Sequence, residues 1–342
     1  MNAHASTYRP NELDDADRPQ TVIALRDLHK SHGKTVALQG LSLTVPRGTI
    51  YALLGPNGSG KTTTLKLLLG MSRPDRGEGR VFGLRIDNEA DSVSIRSRVG
   101  FVSETKELFQ QLDVRTTINM VRKFYPKWQH DLELRLLSEF ALTPTQRVSA
   151  LSKGMRAKLA LLVACCRGAE LLILDEPTDG LDPASADQLL ETLVGMVAET
   201  GVTVLLSSHQ LHEVERIADG VAIMHHGRVV LQGELDELRG EVRRIDVQFD
   251  AHADAQSDAD HRVSATADIP RIRVLPNSIP DGTLLLHHSH NAHEESLLIR
   301  GNAAAVVATL TTQLAATPHH FTISAHPVPL RELFLTLTNS SF

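Results

Sequence analysis

Gly55-Pro56-Asn57-Gly58-Ser59-Gly60-Lys61-Thr62 stands directly after the apolar run Thr49–Leu54 and directly before an amphipathic stretch that opens at Lys61. The octet satisfies the pattern Gly-x4-Gly-Lys-Ser/Thr, and its flanks predict a strand before it and a helix from Lys61 to about Met71. Glycines let the backbone wrap closely and turn its N–H groups toward phosphate oxygens, and the helix N-terminus adds a partial positive charge. Lys61 then reaches the outer phosphates and the Thr62 hydroxyl faces Mg2+. A plain Gly-rich turn is the alternative reading, but a chance match in a chain of this length is roughly a one-in-a-hundred event.

Working outward, short apolar runs alternate with amphipathic stretches from Thr21 on, the pattern of an α/β domain with a buried, largely parallel sheet. The clearest strands are Thr49–Leu54, Leu171–Asp175, Val202–Ser207 and Val221–His225, and a second helix is expected from Pro183 to about Glu199 with Asp182 as its cap. Between about 87 and 167 the periodicity turns mostly helical, with Leu132, Leu134, Leu136, Leu137 and Phe140 as an apolar face, so that stretch is read as an inserted helical subdomain. Residues 1–20 carry four acids and no apolar core and read as a solvated, disordered tail rather than a signal peptide. A polar run, Asp250–Asp260, sets off residues 239–342 as a small α+β domain: a strand at Ile245–Phe249, a hairpin of Thr283–His287 with Ser296–Arg300, helices from Ala303 and Leu330, and a strand near Phe321.

Composition narrows the function. The chain has 342 residues, a net charge of -6 and no block of like charge, so direct binding to nucleic acid is not expected. No apolar run approaches the ~18 residues of a membrane span. Two adjacent cysteines, Cys165 and Cys166, are too few for a disulfide framework and fit buried packing in a reducing cytoplasm.

Three more patterns carry chemistry. Leu171-Leu172-Ile173-Leu174 leads into Asp175-Glu176, a buried strand delivering carboxylates at its end: Asp175 on the metal side and Glu176 where it can accept a proton from an attacking water. Leu151-Ser152-Lys153-Gly154-Met155 opens a helix whose start, through Ser152 and the Gly154 backbone, can grip an anion. Ser207-Ser208-His209 ends a later strand and sets an imidazole at the edge that carries Asp175. The run His287-His288-Ser289-His290 with His293 invites a metal reading, but a solvated hairpin loop is favoured because strand alternation separates His287 from His288. Tyr125 and Trp128 serve either a docking surface or the core of the helical subdomain.

Taken in order, the phosphate loop, Leu151–Met155, the acidic strand, Asp179-Gly180-Leu181-Asp182 and His209 resemble the ATP-binding subunit of ABC transporters over about Thr21 to Leu238. Phe124–Trp128 and the Lys153 variant of the signature look like ATPases of export systems whose permease is a separate chain. The resemblance implies a P-loop NTPase fold of the ABC type that binds ATP and Mg2+, hydrolyses ATP, dimerises head to tail and drives an integral-membrane permease from the cytoplasmic face of the membrane. ATP would lie on Gly55 to Thr62, Thr63 and, in place of the usual stacking aromatic, His32; Leu151, Ser152, Lys153, Gly154 and Met155 would meet the partner copy's ATP. Thr62, Asp175 and Glu104, the last in the loop after a Val99–Val102 strand where the family carries Gln, would face Mg2+; Glu176 and His209 would be catalytic, and Asp182 would lie in the loop between the copies. A soluble ABC-type ATPase acting on a ribosome or nucleic-acid complex is the other class, disfavoured because the chain has one phosphate loop and no long coiled coil.

Overall fold

The computed structural model describes residues 20–249, 279–290, 294–315 and 320–339. They form two compact units, one running to Leu235 and one beginning at Asp236. Residues 1–19 of the expected tail, the Asp250–Asp260 run and His293 lie outside the described residues.

The first unit begins β1 (Thr21–His32), β2 (Thr35–Pro46), β3 (Ile50–Leu54), α1 (Lys61–Leu68), β4 (Arg76–Val81), β5 (Leu84–Arg85), α2 (Glu89–Arg98) and β6 (Val99–Val102). It continues α3 (Val114–Arg122), α4 (His130–Glu139), α5 (Lys153–Cys165), β7 (Leu171–Asp175), α6 (Pro183–Thr200), β8 (Thr203–Ser208), α7 (Leu211–Ile217), β9 (Gly220–His225) and β10 (Arg228–Glu234). The central sheet has the order β10-β9-β3-β8-β7-β6. Its pairs from β9 to β6 are parallel and β10 closes it antiparallel. Strands β3, β7 and β8 are buried along their whole length, so they read as continuous apolar runs rather than alternating ones. A second, antiparallel sheet of order β2-β1-β4-β5 completes the unit. Its inward residues, among them Ile23, Leu25, Leu41 and Leu43, share one core with Leu53, Leu65 and Leu205, each such side chain worth roughly 1.5–3 kcal/mol on burial.

Helix ends follow local chemistry. Asn88, Asp113, Ser152 and Asp182 cap α2, α3, α5 and α6 by accepting an N–H three residues on, each worth about 1 kcal/mol. Helix α1 stops at Leu68, short of the expected Met71, because Gly70 takes a left-handed φ of 62° and turns the chain out. Val99–Val102 is the strand expected before Glu104 and pairs with β7 in the core, and of the mostly helical stretch expected from about 87 to 167, α3, α4 and α5 lie between β6 and β7. Leu134 leaves the expected apolar face and is 67% exposed, while Leu132, Leu136 and Phe140, spaced by four, are buried. Trp128 belongs to the core and donates its indole N–H to Glu133 at 2.6 Å; Tyr125 is half-buried under the Arg167 guanidinium, 3.9 Å from its ring centre.

Cys165 and Cys166 are buried at the end of α5. Burial raises the Cys165 thiol well above its ordinary range and pushes Cys166 up to about 12. Since the thiolate is the nucleophile, iodoacetamide at neutral pH is expected to leave the folded protein unmodified while alkylating both thiols of the urea-unfolded chain. An adduct on the folded protein, read by intact mass, contradicts this packing.

The second unit follows α8 (Leu235–Glu241) with β11 (Val242–Phe249), β12 (Leu284–His290), β13 (Glu294–Arg300), α9 (Ala303–Leu314), β14 (Phe321–Pro327) and α10 (Leu330–Asn339). Its sheet, β12-β13-β11-β14, is antiparallel throughout. Ile245, Val247, Leu297 and Ile299 meet Val306, Leu310 and Leu314 of α9 in its core. His287 and His288 are not in a solvated hairpin loop but on β12, where the His288 ring lies 2.6 Å from the buried Glu295 carboxylate. Among the described residues no group of three His, Cys, Asp or Glu side chains is placed to hold a metal ion.

Candidate functional site

Parallel pairing brings the chemistry to one sheet edge. Leu54 is level with Ser208 and Asp175 with Ser207, so the chain leaves β3, β7 and β8 at the same edge carrying the phosphate loop, the acidic pair and His209. In the loop Gly58 and Gly60 take φ of 80° and 105°. Gly60 also has no room for a side chain: a Cβ there would sit 2.7 Å from the Ala37 carbonyl of β2.

Lys61 is buried, and its ammonium donates to the Gly55 carbonyl at 2.8 Å and lies 3.5 Å from Glu176 Oε1. The other carboxylate oxygen of Glu176 meets His209 Nδ1 at 2.9 Å. An ionised carboxylate only accepts, so that geometry puts the proton on Nδ1. Glu176 itself has φ 46°, a left-handed conformation that costs a non-glycine residue roughly 1–2 kcal/mol. Its N–H donates to Ser207 Oγ at 2.9 Å, and the Ser207 hydroxyl donates to Asp175 Oδ1 at 2.6 Å. Ser207 thereby ties the two carboxylate residues together from the neighbouring strand. Thr178, just beyond, donates to the buried Glu213 of α7 at 2.6 Å.

The site fits a polyphosphate. Ser59 Oγ, buried in the phosphate loop, has no hydrogen-bond partner among the described residues, and a buried hydroxyl without one costs about 1–3 kcal/mol. Lys61 supplies positive charge beside it, and Thr62 and Thr63 stand half-buried at the start of α1.

Among the described residues, the other expected ones form no direct hydrogen bond or ion pair with Lys61, Asp175, Glu176 or His209. His32 is exposed at the tip of the β1–β2 hairpin, and the strand that follows it passes against the phosphate loop at Ala37. Glu104 is exposed in the segment after β6, where its carbonyl, at 3.2 Å, accepts from Lys106. Ser152 is exposed and caps α5 by accepting the Met155 N–H at 3.1 Å. Lys153 pairs with Asp179 at 3.3 Å and its ammonium overlies Gly180, where a Cβ would lie 1.8 Å from it. Asp182 caps α6, and the Ser185 N–H holds its carboxyl below the usual carboxylate range. Leu151 is buried, and Gly154 leaves room for Ser185, whose Oγ a Cβ there would meet at 3.2 Å.

Sequence reading missed Ser207, Glu213 and Lys106. Ser207 stood at the end of an expected strand with nothing to mark its bonds to Glu176 and Asp175, and Glu213 stood among the charges of a short helix with nothing to mark it as buried. Lys106, in the polar segment Ser103–Glu107, had no signal at all, yet it is buried.

The ABC transporter family profile matches residues 38–179. The chain is similar to the daunorubicin/doxorubicin resistance ATP-binding protein DrrA of Streptomyces peucetius, 34% identical over 71% of this chain and 74% of that one. It is similar, too, to the bacitracin transport ATP-binding protein BcrA of Enterococcus faecalis, 31% identical over 78% and 84% of the respective chains. Among solved structures, an ATP-binding subunit of an ABC transporter superposes with a TM-score of 0.58 at 32% identity, covering 64% of this chain and 92% of the other. A dimeric bacterial ABC transporter cassette shares the fold at 21% identity and a TM-score of 0.57, covering 62% of this chain and 98% of that one.

Proposed function

The chain belongs to the ABC transporter ATP-binding family and is an ATPase, and from that premise we propose that it powers an exporter whose permease is a separate integral-membrane chain. The observation that carries the reading is the convergence of Lys61, Asp175, Glu176 and His209 at one sheet edge beside an unpartnered Ser59 hydroxyl. Names of relatives support the transport half, since they are a drug-resistance subunit, a bacitracin transport subunit and a Nod factor export subunit of Ralstonia nicotianae, 35% identical over 64% of this chain and 68% of that one. No helix among the described residues is long and apolar enough to cross a membrane. We place this subunit at the cytoplasmic face, with residues 239–342 as an accessory domain.

The chemistry follows from the residues. The backbone of Gly55–Gly60, Ser59 Oγ and Lys61 bind the phosphates of ATP and orient the terminal one toward Glu176. Glu176 takes a proton from the attacking water; Lys61 and His209, one on each carboxylate oxygen, fix the direction in which it faces. Thr62, Asp175 and Glu104 would hold Mg2+, which when bound neutralises charge between the outer phosphates. Ser152, Lys153 and Gly154, away from the chain's own phosphate loop, serve the ATP of a second copy in a head-to-tail dimer, and Asp182 lies where the two copies meet.

Two measurements test this. Purified protein is expected to release phosphate from ATP, to stop when EDTA removes Mg2+, and to show a different half-saturating Mg2+ concentration in Glu104→Gln; superimposable Mg2+ titrations of the two proteins contradict a metal role for Glu104. For transport, affinity capture from detergent-solubilised membranes of the host should recover a polytopic membrane protein. Recovery with ribosomes or nucleic acid instead contradicts the exporter reading.

A further inference from the structure

The segment that leaves β6 returns a buried cation to the backbone carbonyl of Glu176. Lys106 is 5% exposed and has a φ of 49°, a left-handed turn that its N–H closes onto the Ser103 carbonyl at 3.0 Å. That turn drives the side chain inward instead of leaving it in solvent. Among the described residues its ammonium meets no carboxylate oxygen at hydrogen-bond distance; it donates to two backbone carbonyls, Glu176 at 3.0 Å and Glu104 at 3.2 Å. Charge surrounds it farther out, with Glu104, Glu176 and Asp179 attractive and Lys153 repulsive. Burying an ammonium without a directly bonded carboxylate is costly, and the two carbonyl bonds are what hold this lysine inward.

What the lysine holds is the unusual part of the site. Glu176 is left-handed, so its carboxylate direction depends on how firmly the peptides on either side are fixed. Ser207 fixes the N-terminal side by accepting the Glu176 N–H. On the C-terminal side the Glu176 carbonyl accepts the Asp179 N–H at 3.2 Å and the Lys106 ammonium at 3.0 Å. A charged donor makes roughly twice as strong a hydrogen bond as a neutral one, so Lys106 is the firmer of those two restraints.

We propose that Lys106 is a positioning residue for hydrolysis: it holds the Glu176 peptide in its strained conformation and so aims the carboxylate at the attacking water. The proposal rests on Glu176 being the base. Misaiming a base lowers the rate of the chemical step and leaves nucleotide binding, which lies on the phosphate loop, in place.

The test is a cycle of single-turnover hydrolysis rates on the full chain: unsubstituted, Lys106→Met, Glu176→Gln and the double variant, with ATP affinity measured for each. Lys106→Met is expected to lower the rate about tenfold or more with ATP affinity changed less than about twofold, and to lower it less than about twofold when Glu176 is already Gln. Lys106→Arg, which keeps the charged donor, should recover part of the loss. Should Lys106→Met not fold, Lys106→Gln carries the same comparison. An equal rate loss in both backgrounds, or none in the first, overturns the role of Lys106, whereas near-normal hydrolysis by Glu176→Gln alone overturns Glu176 as the base.

Discussion

Replacing Glu176 by Gln should lower hydrolysis by about 10²–10⁴-fold while ATP continues to bind. The substitution keeps size and shape, and an amide oxygen can still accept the His209 Nδ1–H that the carboxylate accepts at 2.9 Å. What it removes is the group that takes the proton. Binding is carried elsewhere, by the loop glycines, Ser59 and Lys61: when Glu176 loses its charge, the Lys61 ammonium keeps its bond to the Gly55 carbonyl at 2.8 Å, and the phosphates of bound ATP supply negative charge beside it. Single-turnover phosphate release at saturating ATP, read beside an ATP titration, separates the two. Turnover near that of the unsubstituted protein contradicts the assignment of Glu176 as base.

Lys61→Ala should act on the other half of the site. Loss of a charged donor to phosphate costs about 1.5–3 kcal/mol, which is about one to two orders of magnitude in ATP affinity. A second consequence follows from burial. Lys61 and Glu176 are 7% and 10% exposed at their side chains and 3.5 Å apart, and breaking a buried pair by removing one partner costs roughly 3–5 kcal/mol because the other is left uncompensated. Thermal unfolding should therefore occur at lower temperature in Lys61→Ala, and Lys61→Ala with Glu176→Gln should regain part of that loss without regaining ATP affinity. Unchanged affinity in Lys61→Ala contradicts the phosphate-loop role; an unfolding temperature no higher in the double variant contradicts the coupling of the two charges.

Much of this was legible in the sequence because parallel strands buried on both faces announce themselves. Leu171–Asp175 was bounded at the same residues as the strand itself, and Asp182 with Pro183 marked the start of α6. The phosphate loop was readable because its glycines answer to backbone constraints local in sequence, positive φ at Gly58 and Gly60. Val99–Val102 was legible only through the family pattern that sets Glu104 after a strand, because four residues between helical segments have too little length to show a period of their own. Leu134 misled because an apolar residue two positions from Leu132 and Leu136 falls on the opposite side of a helix, where it is 67% exposed. Ser207, Glu213 and Lys106 escaped for one shared reason. Each is polar and owes its burial to a partner 31 to 70 residues away in the chain, Glu176 for two of them and Thr178 for the other, and such contacts leave no local periodicity.

The measurement that bears most directly on the mechanism is the ATP dependence of assembly, because hydrolysis by a head-to-tail pair needs Glu176 of one copy and Ser152 of the other at one nucleotide. With Mg2+ and ATP, Glu176→Gln retains the terminal phosphate and should shift from monomer to dimer in size-exclusion chromatography with light scattering. Adding Ser152→Arg sets bulk and positive charge at the exposed start of α5 and leaves the phosphate loop untouched. The expected result is a nucleotide-dependent dimer for Glu176→Gln and a monomer, still able to bind ATP, for the double variant. Dimerisation that is the same in both variants, with or without ATP, contradicts the sharing of ATP between two copies.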